Sequence, residues 1–164
     1  MLYLFDANIL LEANNRYYGL DFAPGFWKFI EREAKKTTLK SNDMILYELI
    51  SYGDNVSKWA DDRKEIFSIS SQDEEIQKYF SDIANYVNNH PIFSGAEKAR
   101  FLSGADGWLV ATCKSLNAVL VTHEVAVPTN SKKVKIPNIA QEFGVKTINT
   151  FDMIRALGGK FELD

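Results

Sequence analysis

The stretch MLYLFDANILLEANN sets Asp6, and then Asn8, directly behind the apolar run Leu2 to Phe5. A carboxylate beside a segment that must be buried costs free energy unless something offsets it. Three further acids sit against apolar segments: Glu48 in LYELI, Asp106 in GADGWLVATC and Glu124 behind AVLVT. If these side chains share one pocket, each pair of unit charges about 5 Å apart repels by roughly 3 kcal/mol at an effective dielectric near 20. Several such pairs rival the stability of an ordinary domain, so either some carboxyls are protonated or cations occupy the site. An all-oxygen ligand set favours hard ions, Mg²⁺ or Mn²⁺. Such a site activates water and steadies an oxygen departing from phosphate.

The elements that must position these acids can be read from pattern. Leu2 to Phe5, Thr37 to Leu39, Ala118 to Thr122 and the KTIN stretch read as strands, the first and third apolar enough to be buried on both faces. Helices are expected between them. Asn8 caps one through Ala13, and Phe26 to Lys35 carries Phe26, Phe29 and Ile30 on one side. Ser41, Asn42 and Asp43 open a helix with Ile45, Leu46, Leu49 and Ile50 inward, ended near Gly53, with Asp43 as its cap. Asp54 to Phe67 is charged and helical. Ser71 and Glu74 form a capping box for a helix running to Asn89. Glu97 to Leu102 is a short helix, and Asp106 opens one closed by Asn117. Pro137 and Thr150 begin the last two, ended by Gly144 and Gly158. The stretch NNRYYGLDFAPGFW reads as an aromatic-rich loop. Strands separated by helices argue an α/β fold, a three-layer sandwich with a central, mainly parallel sheet. In such a sheet the loops at the C-terminal strand ends share one edge. That topology brings Asp6, Glu48, Asp106 and Glu124 to that edge.

The totals bound the rest. A chain of 164 residues, 46% hydrophobic and 25% charged, suits a single domain over residues 1–164. A net charge of -3 gives no global attraction to nucleic acid, so any such binding must be local or metal-assisted. The lone Cys113 forms no internal disulfide and suits a reducing, cytoplasmic setting. The N-terminus lacks a basic region and does not read as a signal peptide, and no apolar run is long enough to span a membrane.

Four segments resemble the motifs of the PIN-domain nucleases. LYLFDANIL resembles their opening strand and Asp, and LYELI their helical Glu motif. GADGWLVATC resembles their third acidic motif, and VLVTHE their strand ending in Thr, any residue, then an acid. NRYY, GFW and the KIPN loop also resemble a PIN subgroup of VapC-like toxin relatives. The resemblance implies a Rossmann-like sheet and a cluster of acids holding Mg²⁺ or Mn²⁺. It also implies hydrolysis of phosphodiester bonds, usually in single-stranded RNA, by a toxin held inactive by an antitoxin. Motif by motif, it assigns metal ligation to Asp6, Glu48, Asp106 and Glu124, and orientation of carboxylates or water to Asn8 and Thr122. It also implies that the protein can form a homodimer. Two positions depart from the family pattern: Glu124 stands where Asp is usual, and Gly107 follows Asp106, where glycine loosens a helix start by about 1 kcal/mol.

Other residues carry weaker signals. Lys132, Lys133 and Lys135 form a basic cluster that suits phosphate contact or a solvated loop. Arg16 with Tyr17 or Tyr18 suits contact with unpaired bases, and most of the neighbouring aromatics suit packing. His90 reads as structural, His123 faces opposite to its neighbours if the strand continues and so is not expected to be catalytic, and Cys113 reads as a small buried apolar residue. Two rival functions remain: a catalytically degenerate PIN-fold binding module, motivated by Glu124 and Gly107, and a haloacid-dehalogenase-like phosphatase. The second would need another Asp two residues after the first, where this chain has Asn8.

Overall fold

The structure, a computed structural model, describes residues 1–163. In chain order the elements are β1 (Tyr3–Phe5), α1 (Ala7–Glu12), a π-helical turn (Ala13–Tyr17), α2 (Pro24–Lys35), β2 (Leu39–Asn42), α3 (Asp43–Ser51), α4 (Asn55–Asp61), α5 (Lys64–Phe67), β3 (Ser68–Ile69), α6 (Glu74–Asn89), α7 (Gly95–Ser103), α8 (Asp106–Leu116), β4 (Val119–Val121), α9 (Ile136–Glu142), β5 (Thr147–Ile148) and α10 (Thr150–Ala156). The strands form one sheet in the order β3-β2-β1-β4-β5, and every pairing is parallel. Helices flank it, as the alternation of apolar strands and amphipathic helices requires.

β1 is central because it can be buried on both faces: Leu4 and Phe5 are fully enclosed. Phe5 meets Phe67 edge-to-face with centroids 5.5 Å apart. On α8, Trp108 stacks on Phe80 of α6 at 3.9 Å. Gly107 belongs to this contact, since a Cβ there would lie 3.1 Å from the Phe80 ring. Its glycine is explained by close helix packing, which offsets the local loss of helix propensity. The aromatic loop packs inward: Tyr18 stacks on Phe26 at 4.6 Å, and the Trp27 indole donates to the Tyr18 carbonyl at 2.7 Å.

Local chemistry moves several expected boundaries. Asn8 does not cap α1; Asp6 does, accepting the Asn8 amide. Thr37 lies outside β2 because its φ is 64°, a left-handed conformation incompatible with a strand. Ser41 and Asn42 belong to β2, and Asn42, not Asp43, caps α3. Asp43 instead accepts the amide and hydroxyl of Ser71. That occupies the serine expected in a capping box, and Asp73 caps α6. Asn149, not Thr150, caps α10. Asp54 to Phe67 breaks into α4 and α5, and β3 follows. β3 has only two residues and neither is fully buried, so it leaves no apolar run to read.

Candidate active site

The acids gather because of sheet register. Phe5 pairs with Val121 across β1 and β4, so Asp6 and Thr122 leave adjacent strands side by side. The Thr122 hydroxyl donates to Asp6 Oδ2 at 2.6 Å, and the Asn8 amide donates to Asp6 Oδ1 at 2.6 Å. The same Thr122 oxygen accepts the Glu124 amide at 3.1 Å. Thr122 thus links the two strand ends and orients both acids. β1 lies where the chain order reverses across the sheet, between β2 and β4, and in open α/β sheets that crevice hosts ligands.

The other acids are fixed by helix starts. Glu48 lies in the second turn of α3 and reaches across to the Ala105 amide, which donates to its Oε1 at 2.9 Å. Asp106 is the first residue of α8. A buried hydrogen bond from Asn42 Nδ2 to Thr112 Oγ1, 2.9 Å, holds α8 against the end of β2. Glu124 Oε2 accepts the Ile136 amide at the start of α9, at 2.8 Å. Gly104 makes room for Glu48: a Cβ there would lie 3.2 Å from Glu48 Oε1 and 3.3 Å from the Arg100 carbonyl. Asp6, Asn8, Glu12, His123 and Glu124 line a cleft of about 280 Å³ on this edge.

The electrostatics record the crowding. Burial pushes the Asp6 carboxyl up to about 6, against hydrogen bonds from Thr122 and Asn8 that favour its ionised form; Glu124 adds to the rise. Burial pushes Asp106 up to about 7, and the charges of Asp6, Glu124 and Glu48 push it further, with Arg100 opposing. Asp106 therefore lies within the field of all three other acids. Among the described residues, no three His, Cys, Asp or Glu side chains close on a single point. By donor chemistry the set nonetheless fits a hard divalent cation. It is all oxygen, and Glu48 and Glu124 each spend one carboxylate oxygen on a backbone amide and keep the other free of protein hydrogen bonds.

The remaining candidates divide. Asn8 contributes its backbone amide and an exposed side chain on the cleft wall. Arg16 pairs with Glu12 at 2.8 Å and so stands at the cleft rim. Lys135 immediately precedes α9, beside the amide that holds Glu124. Lys132 is exposed, and Lys133 lines a different cleft with Tyr86, His90 and Phe93. Three residues not singled out from sequence for this edge belong to it. Glu12 lies one turn beyond Asn8, a spacing visible in the sequence. His123, which the strand pattern turns away from its neighbours, has its Nε2 2.9 Å from Thr150 Oγ1, and it lines the cleft. Arg100 pairs with Glu97 three residues earlier, a common surface pattern that gave no hint of Asp106.

A chain in the crystal structure of VapBC2 from Rickettsia felis, bound to a DNA fragment from their promoter, superposes with a TM-score of 0.56 at 17% identity, over 91% of this chain and 98% of that one. The architecture is therefore the PIN-like fold, as the sequence motifs implied. No curated protein matches the chain. The sequence profile of one family, described as "Domain of unknown function (DUF4411)", matches residues 3–161. The chain is a member of the DUF4411 family, built on a PIN-like α/β fold.

Proposed function

We propose that this protein is a metal-dependent endoribonuclease that hydrolyses phosphodiester bonds of single-stranded RNA, and that it is the toxin of a toxin–antitoxin pair. The observation that carries the reading is the convergence of acids from distant segments: the Thr122 hydroxyl joins Asp6 to the Glu124 backbone, and Glu48 holds the amide of Ala105 beside Asp106. Such a concentration of negative charge is destabilising on its own, and functional sites are where it is tolerated. The VapBC2 likeness supports the fold on which this chemistry is proposed.

In this reading Asp6, Glu48, Asp106 and Glu124 hold Mg²⁺ or Mn²⁺. The bound cation supplies charge neutralisation at phosphate and an acidified water. The chain's own groups do the positioning. Thr122 and the Asn8 amide hold Asp6 in one rotamer and favour its ionised form against burial, and the Ala105 and Ile136 amides aim Glu48 and Glu124. Lys135 and Arg16 flank the cleft as contacts for the RNA backbone. An antitoxin is the expected protein partner. Cleavage of a labelled single-stranded RNA in Mn²⁺, lost in Asp6→Asn and in Asp106→Asn, is the test. Equal cleavage by wild type and both variants rejects the assignment.

A second reading keeps the fold without the chemistry, a binding module. Its support is that no three of the described acidic side chains close on a point. Calorimetric titration with Mn²⁺ separates the two: binding that depends on Asp6 and Asp106 excludes an idle site.

A further inference from the structure

Among the described residues, Arg100 is the one arginine or lysine within ion-pair distance of the four acids. Its Nη1 lies 3.9 Å from Asp106 Oδ2. The guanidinium is held from behind. Nε donates to Glu97 Oε2 at 2.8 Å, and Nη2 donates to Glu97 Oε1 at 3.3 Å and to the Val134 carbonyl at 2.7 Å. Glu97 Oε1 also accepts the Val134 amide at 3.2 Å. The same pair therefore grips the segment leading into α9, whose first amide holds Glu124. Nη1 makes no hydrogen bond within the protein, and 3.9 Å to Asp106 is too long for one.

An arginine serving only to neutralise Asp106 would close its fork on that carboxylate. Here the fork closes on Glu97, and the remaining arm faces the acid cluster with a gap. A chain with net charge -3 and a pocket of carboxylates repels an anionic ligand. A fixed cation at the pocket edge counters that repulsion where it matters, and its tethering has already removed the side-chain freedom that binding would otherwise cost.

We propose that Arg100 is a substrate-contacting residue: Nη1 takes an anionic non-bridging oxygen of the RNA backbone at the edge of the acid cluster, with Glu97 and Val134 as its positioning partners. The proposal rests on the phosphodiester reading above. It also assigns Glu97 a role separate from the ligand acids, that of aiming an arginine.

The test compares wild type with Arg100→Ala, Arg100→Lys and Glu97→Gln in three measurements. These are anisotropy of a labelled single-stranded RNA in Ca²⁺, calorimetric Mn²⁺ binding without RNA, and cleavage kinetics in Mn²⁺. The expected result for Arg100→Ala is RNA affinity lower by about tenfold, the scale of one charge-assisted hydrogen bond. Its Mn²⁺ affinity is expected to be equal or higher, because a competing cation has gone. Arg100→Lys keeps the charge without the fork and recovers part of the loss. Glu97→Gln weakens RNA binding with the arginine intact, and added guanidinium restores part of the Arg100→Ala activity. RNA affinity unchanged in Arg100→Ala overturns the proposal, as does a parallel loss of RNA and Mn²⁺ binding, which marks a structural role. Should Arg100→Ala fail to fold, Arg100→Lys and Glu97→Gln decide by the same criterion. Wild type that binds Mn²⁺ but neither binds nor cleaves RNA overturns the nuclease reading itself, and this proposal with it.

Discussion

Replacing Asp6 by Asn stabilises the metal-free protein at neutral pH while abolishing its metal response. The folded Asp6 carboxyl titrates near 6 against an ordinary value of 3.8, with burial as the main cause. The folded state therefore binds more protons than the unfolded chain between those values, and Asp6 makes stability fall as pH rises from about 4 to about 6. At about 1.4 kcal/mol per unit, the ionised carboxylate costs the fold about 3 kcal/mol above pH 7. Asn removes that cost but leaves the Thr122 hydroxyl without its acceptor, a loss of about 1 kcal/mol. The net gain of about 2 kcal/mol corresponds to roughly 4–8 °C in Tm for a domain of this size. Thermal unfolding in EDTA from pH 4.5 to pH 8 measures it: the gap opens with rising pH from near zero at the acidic end. With Mn²⁺ at a hundredfold excess over its Kd, wild type gains about 2.7 kcal/mol and overtakes the variant. A variant less stable than wild type at pH 7.5 without metal, or a gap independent of pH, refutes the argument that Asp6 is a strained charge awaiting a cation.

Other substitutions probe the supports. Thr122→Val removes a hydrogen bond that favours ionised Asp6, so the acid limb of the cleavage pH profile moves to higher pH and Thr122→Ser restores it. Gly104→Ala sets a methyl 3.2 Å from Glu48 Oε1; Mn²⁺ affinity falls by calorimetry while the circular dichroism spectrum is unchanged. Gly107→Ala presses on the Phe80 ring at 3.1 Å and lowers unfolding free energy in urea by about 1–3 kcal/mol, the usual cost of overpacking.

Much of the edge was legible because it depends on nearest neighbours in sequence. Leu4 and Phe5 must be buried, so Asp6 behind them must stand at a strand end. The same holds for Val121 and Thr122, and the preference of a helix N-terminus for negative charge suits Asp106 to the first turn of α8. Gly53, Asn117, Gly144 and Gly158, which closed helices in the sequence reading, all adopt the left-handed backbone suited to helix ends. Where several local donors compete, sequence misassigned the roles: Asp6 took the cap expected of Asn8, and Asp73 the cap expected of Ser71. In each case a neighbour with an equally suitable side chain had the better geometry, which local pattern does not encode.

The sequence by itself determined that Asp6 and Glu124 follow buried strands and Asp106 opens a buried helix, that Glu48 sits among apolar helix neighbours, and that these segments alternate as an α/β sheet does. Only the tertiary structure decided which atoms meet. The β1–β4 register set Thr122 against Asp6, the Glu48 reach to Ala105 joined α3 to α8, and a surface-type Glu97–Arg100 pair came to face Asp106. Helix and strand periodicity is a local property of the chain, whereas register and helix docking are settled by long-range burial. Contacts between residues 57 or 116 positions apart therefore leave no signature in either segment alone.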